Sequence, residues 1–145
     1  MTLEKAATPD KAVILVDTSV WIDRLRGIRG RAFNGAERLA KGIAGHASIT
    51  EPIIMELLCG AGPVELDRVR NLIDSLNVLS IEPSVDFADA AAIFRATRAN
   101  GRQARKVNDC LIAAVALRHD AVLWHKDSDF EAIAAVTKLK TVDLR

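Results

Sequence analysis

The sequence predicts an α/β fold, with helices layered on both sides of a central, mainly parallel β-sheet. Three observations predict it. Short aliphatic runs without alternation interleave with longer segments of helical periodicity, as expected for strands covered on both faces. The first run, VILV at 13–16, ends on a carboxylate, Asp17, and the carboxyl ends of parallel strands are where ligands collect. A later run, AVLW at 121–124, is likewise followed by acids, Asp127 and Asp129.

Taken in order, Val13 to Val16 is the first strand, and Ser19 to Arg26 a short helix with Val20, Trp21, Ile22 and Leu25 as its apolar set. GIRGRAFNG, 27–35, is rich in glycine and arginine and reads as a loop. Ala36 to Ile43 is a helix and Ala47 to Thr50 a strand. Pro52 suits the first turn of a helix over 52–59. Leu66, Val69, Ile73 and Leu76 mark a helix over 64–76. Asn77 to Ile81 is a strand. Ser84 caps a long helix to Asn100, with Phe87, Ala90, Ala91 and Phe94 on its buried side. After a polar, basic stretch at 102–107, a helix from Asn108 to Arg118, a strand at 121–124, a helix at 129–136 and a strand at 141–144 complete the chain. Residues 1–11 are polar, contain Pro9 and are expected to be a flexible extension; 12–145 is one domain.

Bulk properties narrow the functional classes. The 145 residues are 50% hydrophobic and 27% charged, with a net charge of +1. A nucleic-acid partner must therefore be held by local basic patches. The two cysteines, Cys59 and Cys110, have neither metal spacing nor a disulfide framework, which fits a reducing, cytoplasmic setting. The apolar runs are too short for a bilayer, and the N-terminus lacks the apolar core of a signal peptide.

Four carboxylates stand in apolar surroundings without a local partner. Asp17 ends a buried strand. Asp109 shares a helical stripe with Ile112, Ala113 and Ala116, so it points inward from a first turn. Glu56 lies within IIMELL, and Asp127 follows a buried strand. Singly, Asp17 also reads as a turn residue, Asp109 as a helix cap, Glu56 as the partner of a distant arginine, and Asp127 or Asp129 as the cap of the next helix. Together they are explained if they meet. Clustered carboxylates repel one another unless a cation joins them. Hard oxygen donors without a Cys or His cluster suggest Mg²⁺ or Mn²⁺ rather than zinc.

VDTSVWID, MEL, NDCLIAAVAL and HKDSDF occur in that order. In this the chain resembles the PIN-domain family, and within it the VapC-type toxins of bacterial toxin–antitoxin pairs, over about residues 13–145. The resemblance places the family's acids on Asp17, Glu56, Asp109 and Asp127, with Asp129 supporting, as catalytic and metal-binding residues. It implies a PIN-like α/β/α sandwich. Thr18 and Ser19 are expected to support the carboxylates. His125, where the family often has Thr, reads as a structural or rim residue, and Cys110 as a packing residue.

The resemblance further implies a Mg²⁺- or Mn²⁺-dependent endoribonuclease that hydrolyses RNA with a metal-activated water, on a transfer or ribosomal RNA, and is inhibited by a cognate VapB-type antitoxin. A homodimer is implied as well. Among the basic residues flanking the acids, Arg102, Arg105 and Lys106 are the expected substrate contacts. Trp21, Ile22 and Leu25, with helix 52–59, are the expected antitoxin groove. The alternatives are a non-catalytic PIN-like binding module and a metal-dependent phosphatase. The phosphatase is disfavoured because its second acid would fall on Ser19.

Overall fold

In the computed structural model, which describes residues 12–42 and 46–145, five strands and seven helices form one α/β unit. The predicted extension at 1–11, and Ile43 at the end of one predicted helix, lie outside the described residues. The strands are β1 (Val13–Val16), β2 (His46–Ile49), β3 (Asn77–Val78), β4 (Val122–His125) and β5 (Lys140–Asp143). The helices are α1 (Thr18–Arg26), α2 (Arg31–Ala40), α3 (Glu51–Gly60), α4 (Leu66–Asp74), α5 (Pro83–Ala99), α6 (Val107–Arg118) and α7 (Ser128–Ala134). The sheet order is β3-β2-β1-β4-β5, and every pairing is parallel.

β1 lies at the centre, with Ile14 beside both Ala47 of β2 and Val122 of β4. This is why its run is aliphatic without alternation: Leu15 and Val16 are fully buried. Helix α6 is the most enclosed helix, with every residue from Asp109 to Ala116 buried. Its run of small and branched apolar residues fits a helix packed on several sides, not an amphipathic surface helix.

The chain departs from the sequence reading in several places, one of them the start of α5, where Glu82 and not Ser84 holds the cap position. The predicted loop at 27–35 is shorter, because α2 begins at Arg31 and buries Ala32, Ala36 and Leu39. Gly35 sits inside this helix, where an added Cβ would stand 3.0 Å from the Trp124 ring. A close approach, and not a turn, favours that glycine. In α5 the buried stripe is Asp86, Ala90, Ile93 and Thr97. Phe87 is instead 56% exposed, and Ala91 also faces out. The stripe is one residue out of phase because the inward group at its start is an acid, Asp86, which receives Nε and Nη2 of Arg118 at 2.9 and 2.8 Å. Last, β3 spans only two residues, since the chain leaves the sheet at Leu79, whose amide still donates to Ile49.

Candidate active site

The acids converge beyond the carboxyl ends of β1 and β4, neighbours at the sheet centre. Asp17 follows β1 directly, and its backbone amide donates to the Trp124 carbonyl of β4 at 2.9 Å. It is the N-cap of α1, accepting the Ser19 amide at 3.1 Å and the Ser19 hydroxyl at 2.6 Å. The Ser19 oxygen in turn accepts the Lys126 amide at 3.1 Å. One serine thus ties the first acid to the segment carrying the last ones. Burial raises the Asp17 carboxyl above its ordinary range despite the Ser19 hydrogen bonds that oppose it.

Glu56 comes from α3 and is held by two donors. Thr18 Oγ1 donates to Oε1 at 2.5 Å, and Asn108 Nδ2 donates to Oε2 at 3.0 Å. Asp109 enters from the first turn of α6, where the helix dipole favours negative charge. It is 2% exposed, and its Oδ2 has no hydrogen-bond partner. Burial foremost, and then the charges of Asp17, Asp127 and Glu56, push it up to about 7, against the opposing pull of Lys106. All four predicted acids therefore share one electrostatic environment.

Asp127 is the N-cap of α7, accepting the Asp129 amide at 2.9 Å. Burial would raise its carboxyl, but that hydrogen bond and the neighbouring Lys106 and Arg105 outweigh burial and lower it. Asp129 is buried and accepts the Arg105 amide and Nε at 2.9 and 3.1 Å. Oxygens of Asp109, Asp127 and Asp129 lie within 4.8 Å of one another. Three carboxylates, one with a buried unpartnered oxygen, are a donor set that fits a hard divalent cation.

Other expected residues fall differently. Arg102 is exposed. Arg105 and Lys106 turn onto the acids: Arg105 Nη2 is 3.2 Å from Asp127, and Lys106 Nζ is 3.2 Å from Asp127 and 3.8 Å from Asp109. Ile22 and Leu25 line a groove with Leu57 and Val69, and Arg26, Glu56, Glu65 and Arg68 line it too. Trp21 does not belong to that groove. It is fully buried, because the helix turns it into the core. His125 is fully buried, with Nε2 2.7 Å from Glu131 and Nδ1 accepting the Asp127 amide at 3.0 Å. Cys110 is buried, and burial pushes its thiol up to about 11. The sequence reading missed Asn108, whose only signal was its place beside Asp109.

A family model described as PIN domain matches residues 14–136. The chain is 41% identical over 137 residues to VapC ribonuclease Mb1587 of Mycobacterium bovis, covering 92% of this chain and 100% of that protein. Ribonuclease VapC51 of Mycobacterium tuberculosis is 34% identical over 124 residues, 85% of this chain and 86% of its own. Among solved structures, DNA-bound VapBC from Salmonella typhimurium superposes with a TM-score of 0.70 at 19% identity, covering 91% of this chain and 98% of that one. VapC20 of Mycobacterium tuberculosis, a toxin that cleaves the sarcin-ricin loop, gives 0.64 at 19%, covering 88% and 98%. The structural likenesses speak for the fold, and the sequence relatives, matched almost end to end, place the chain in the PIN-domain family, in its VapC group.

Proposed function

We propose that this chain is a Mg²⁺- or Mn²⁺-dependent endoribonuclease, the toxin of a toxin–antitoxin pair. One observation carries the reading. The charges of Asp17, Glu56 and Asp127 all act on Asp109, whose buried Oδ2 has no hydrogen-bond partner, in a chain 41% identical to VapC ribonucleases.

Asp109, Asp127 and Asp129 would hold the ion, with Asp17 adjoining. When bound, the ion supplies positive charge that polarises a phosphate and acidifies water. The protein's own residues supply the geometry. Ser19 fixes the rotamer of Asp17, and Thr18 with Asn108 fixes Glu56. Held this way, the carboxylates need no rearrangement as charge develops on the phosphate, which is where preorganisation lowers a barrier. Water attacks phosphorus in line, the P–O3′ bond breaks, and the departing oxygen takes up a proton. The products are a 5′-phosphate and a 3′-hydroxyl.

The substrate is a transfer or ribosomal RNA, approached over the basic rim to which Arg102 belongs. The inhibitor is a VapB-type antitoxin whose apolar segment lies in the groove of Ile22, Leu25, Leu57 and Val69 and delivers an arginine to the acids. Solved neighbours include VapBC complexes, and the exposed Met55 and Leu58 of α3 extend the apolar surface. The protein works as a homodimer in the cytoplasm. No helix among the described residues is long and apolar enough to cross a membrane.

Purified protein freed of antitoxin, incubated with total RNA, tests this. Mg²⁺ or Mn²⁺ should generate 5′-phosphate ends at defined sites, and EDTA or Asp17→Asn should abolish them. Asn can still cap α1, so the variant keeps its fold. Equal cleavage by both proteins would mean that Asp17 does not carry it, and no cleavage by folded wild type with every metal would favour the non-catalytic binding module.

A further inference from the structure

Arg105 and Lys106, expected at the rim for substrate, instead reach back over the acids. Lys106 Nζ lies 3.2 Å from Asp127 Oδ2 and 3.8 Å from Asp109 Oδ2. The longer distance exceeds a hydrogen bond, so Asp109 Oδ2 is buried beside a cation that does not bond it. Arg105 bridges Asp127 and Asp129. Each of the three carboxylates whose oxygens lie within 4.8 Å of one another is therefore faced by a basic side chain from the same loop.

We infer that Lys106, with Arg105 beside it, is the site's own counter-ion: its ammonium stands between Asp109 and Asp127 where a divalent cation would sit, and the two compete. This rests on the proposed metal site. Clustered carboxylates in one pocket need positive charge to coexist, and a lysine supplies a single one on a flexible stem. The side chains of Lys106 and Arg105 are 56% and 70% exposed, so neither is enclosed by the protein. Swinging outward meets little obstruction, and a doubly charged ion gains more from the same oxygens. Lys106 keeps the acids gathered without metal and must be displaced for metal to enter. The exchange returns two cations to the rim.

Calorimetric titration of Mn²⁺ into EDTA-treated protein tests this without reference to activity. Lys106→Met should bind Mn²⁺ about tenfold more tightly than wild type, within the usual span of coupling between two ligands. Lys106→Gln should do the same, and Arg105→Met should move in the same direction by less. Lys41→Met, which removes an ammonium that pairs with Glu37, should match wild type, and circular dichroism should show every variant folded. Equal or weaker Mn²⁺ binding by both Lys106 variants overturns the inference while leaving the metal site standing. Absence of Mn²⁺ binding in wild type and Lys106→Met alike removes the metal site itself, and the inference with it.

Discussion

At Asp109, burial and chemistry pull in opposite directions. Its carboxyl titrates near 7 in the folded, metal-free chain, mainly because it is buried and secondarily because other acids surround it. A folded pKa raised above the unfolded value contributes stability that is full below pH 3.8 and lost as pH rises through about 7. Metal-free protein should therefore weaken between mildly acidic and neutral pH. Asp109→Asn removes the ionisation and should be more stable than wild type at pH 8, by on the order of 1–3 kcal/mol, with little difference at pH 4. Urea denaturation in EDTA at the two pH values measures both. The sequence made the acids legible because a carboxylate among aliphatic neighbours is costly and must have a reason. It hid the roles of Arg105, Lys106 and Asn108, because polar residues before a helix serve capping, solvation and binding equally well. Only the fold shows that these reach the acids.

At the level of elements, α5 and α6 are joined by one charged contact beneath their apolar one. Asp86 is fully buried and accepts Nε and Nη2 of Arg118, whose Nη2 also donates to the Ser80 carbonyl. Arg118 holds the Asp86 carboxyl below its ordinary range. That contribution is present above the unfolded value of 3.8 and is lost as pH falls below it. Arg118→Met strands a buried carboxylate and should cost about 2–4 kcal/mol at pH 7. Asp86→Asn with Arg118→Met should recover part of that, as chemical denaturation of the two variants would show. Neither partner was legible, since they stand 32 positions apart and each looks like an ordinary helix-surface charge. The start of α2 was missed for a related reason. Glycine at 35 normally marks a turn, and the Trp124 ring that makes it useful inside a helix lies on β4. Strands β1 and β4 were legible because complete burial leaves an uninterrupted aliphatic run.

For the molecule as a whole, an ion held only by the folded state must stabilise it. Mn²⁺ at 100 times its dissociation constant should contribute about 2.7 kcal/mol, which raises Tm by roughly 5–10 °C for a chain of this size. Thermal unfolding with Mn²⁺ and with EDTA checks this, and Asp109→Asn should lose the shift. The strand order gives the same site a history. Its first acid leaves β1 and its last follow β4, two strands that touch at the sheet centre yet are separated in the chain by β2, β3 and six helices. Contacts between such distant segments form late and slowly in folding. A chain emerging from the ribosome carries Asp17 long before Asp127, and the pocket closes only when β4 slots in beside β1. Until that pairing forms, Asp17 lacks the Trp124 carbonyl and the Lys126 segment that hold it in place, so the site stays incomplete.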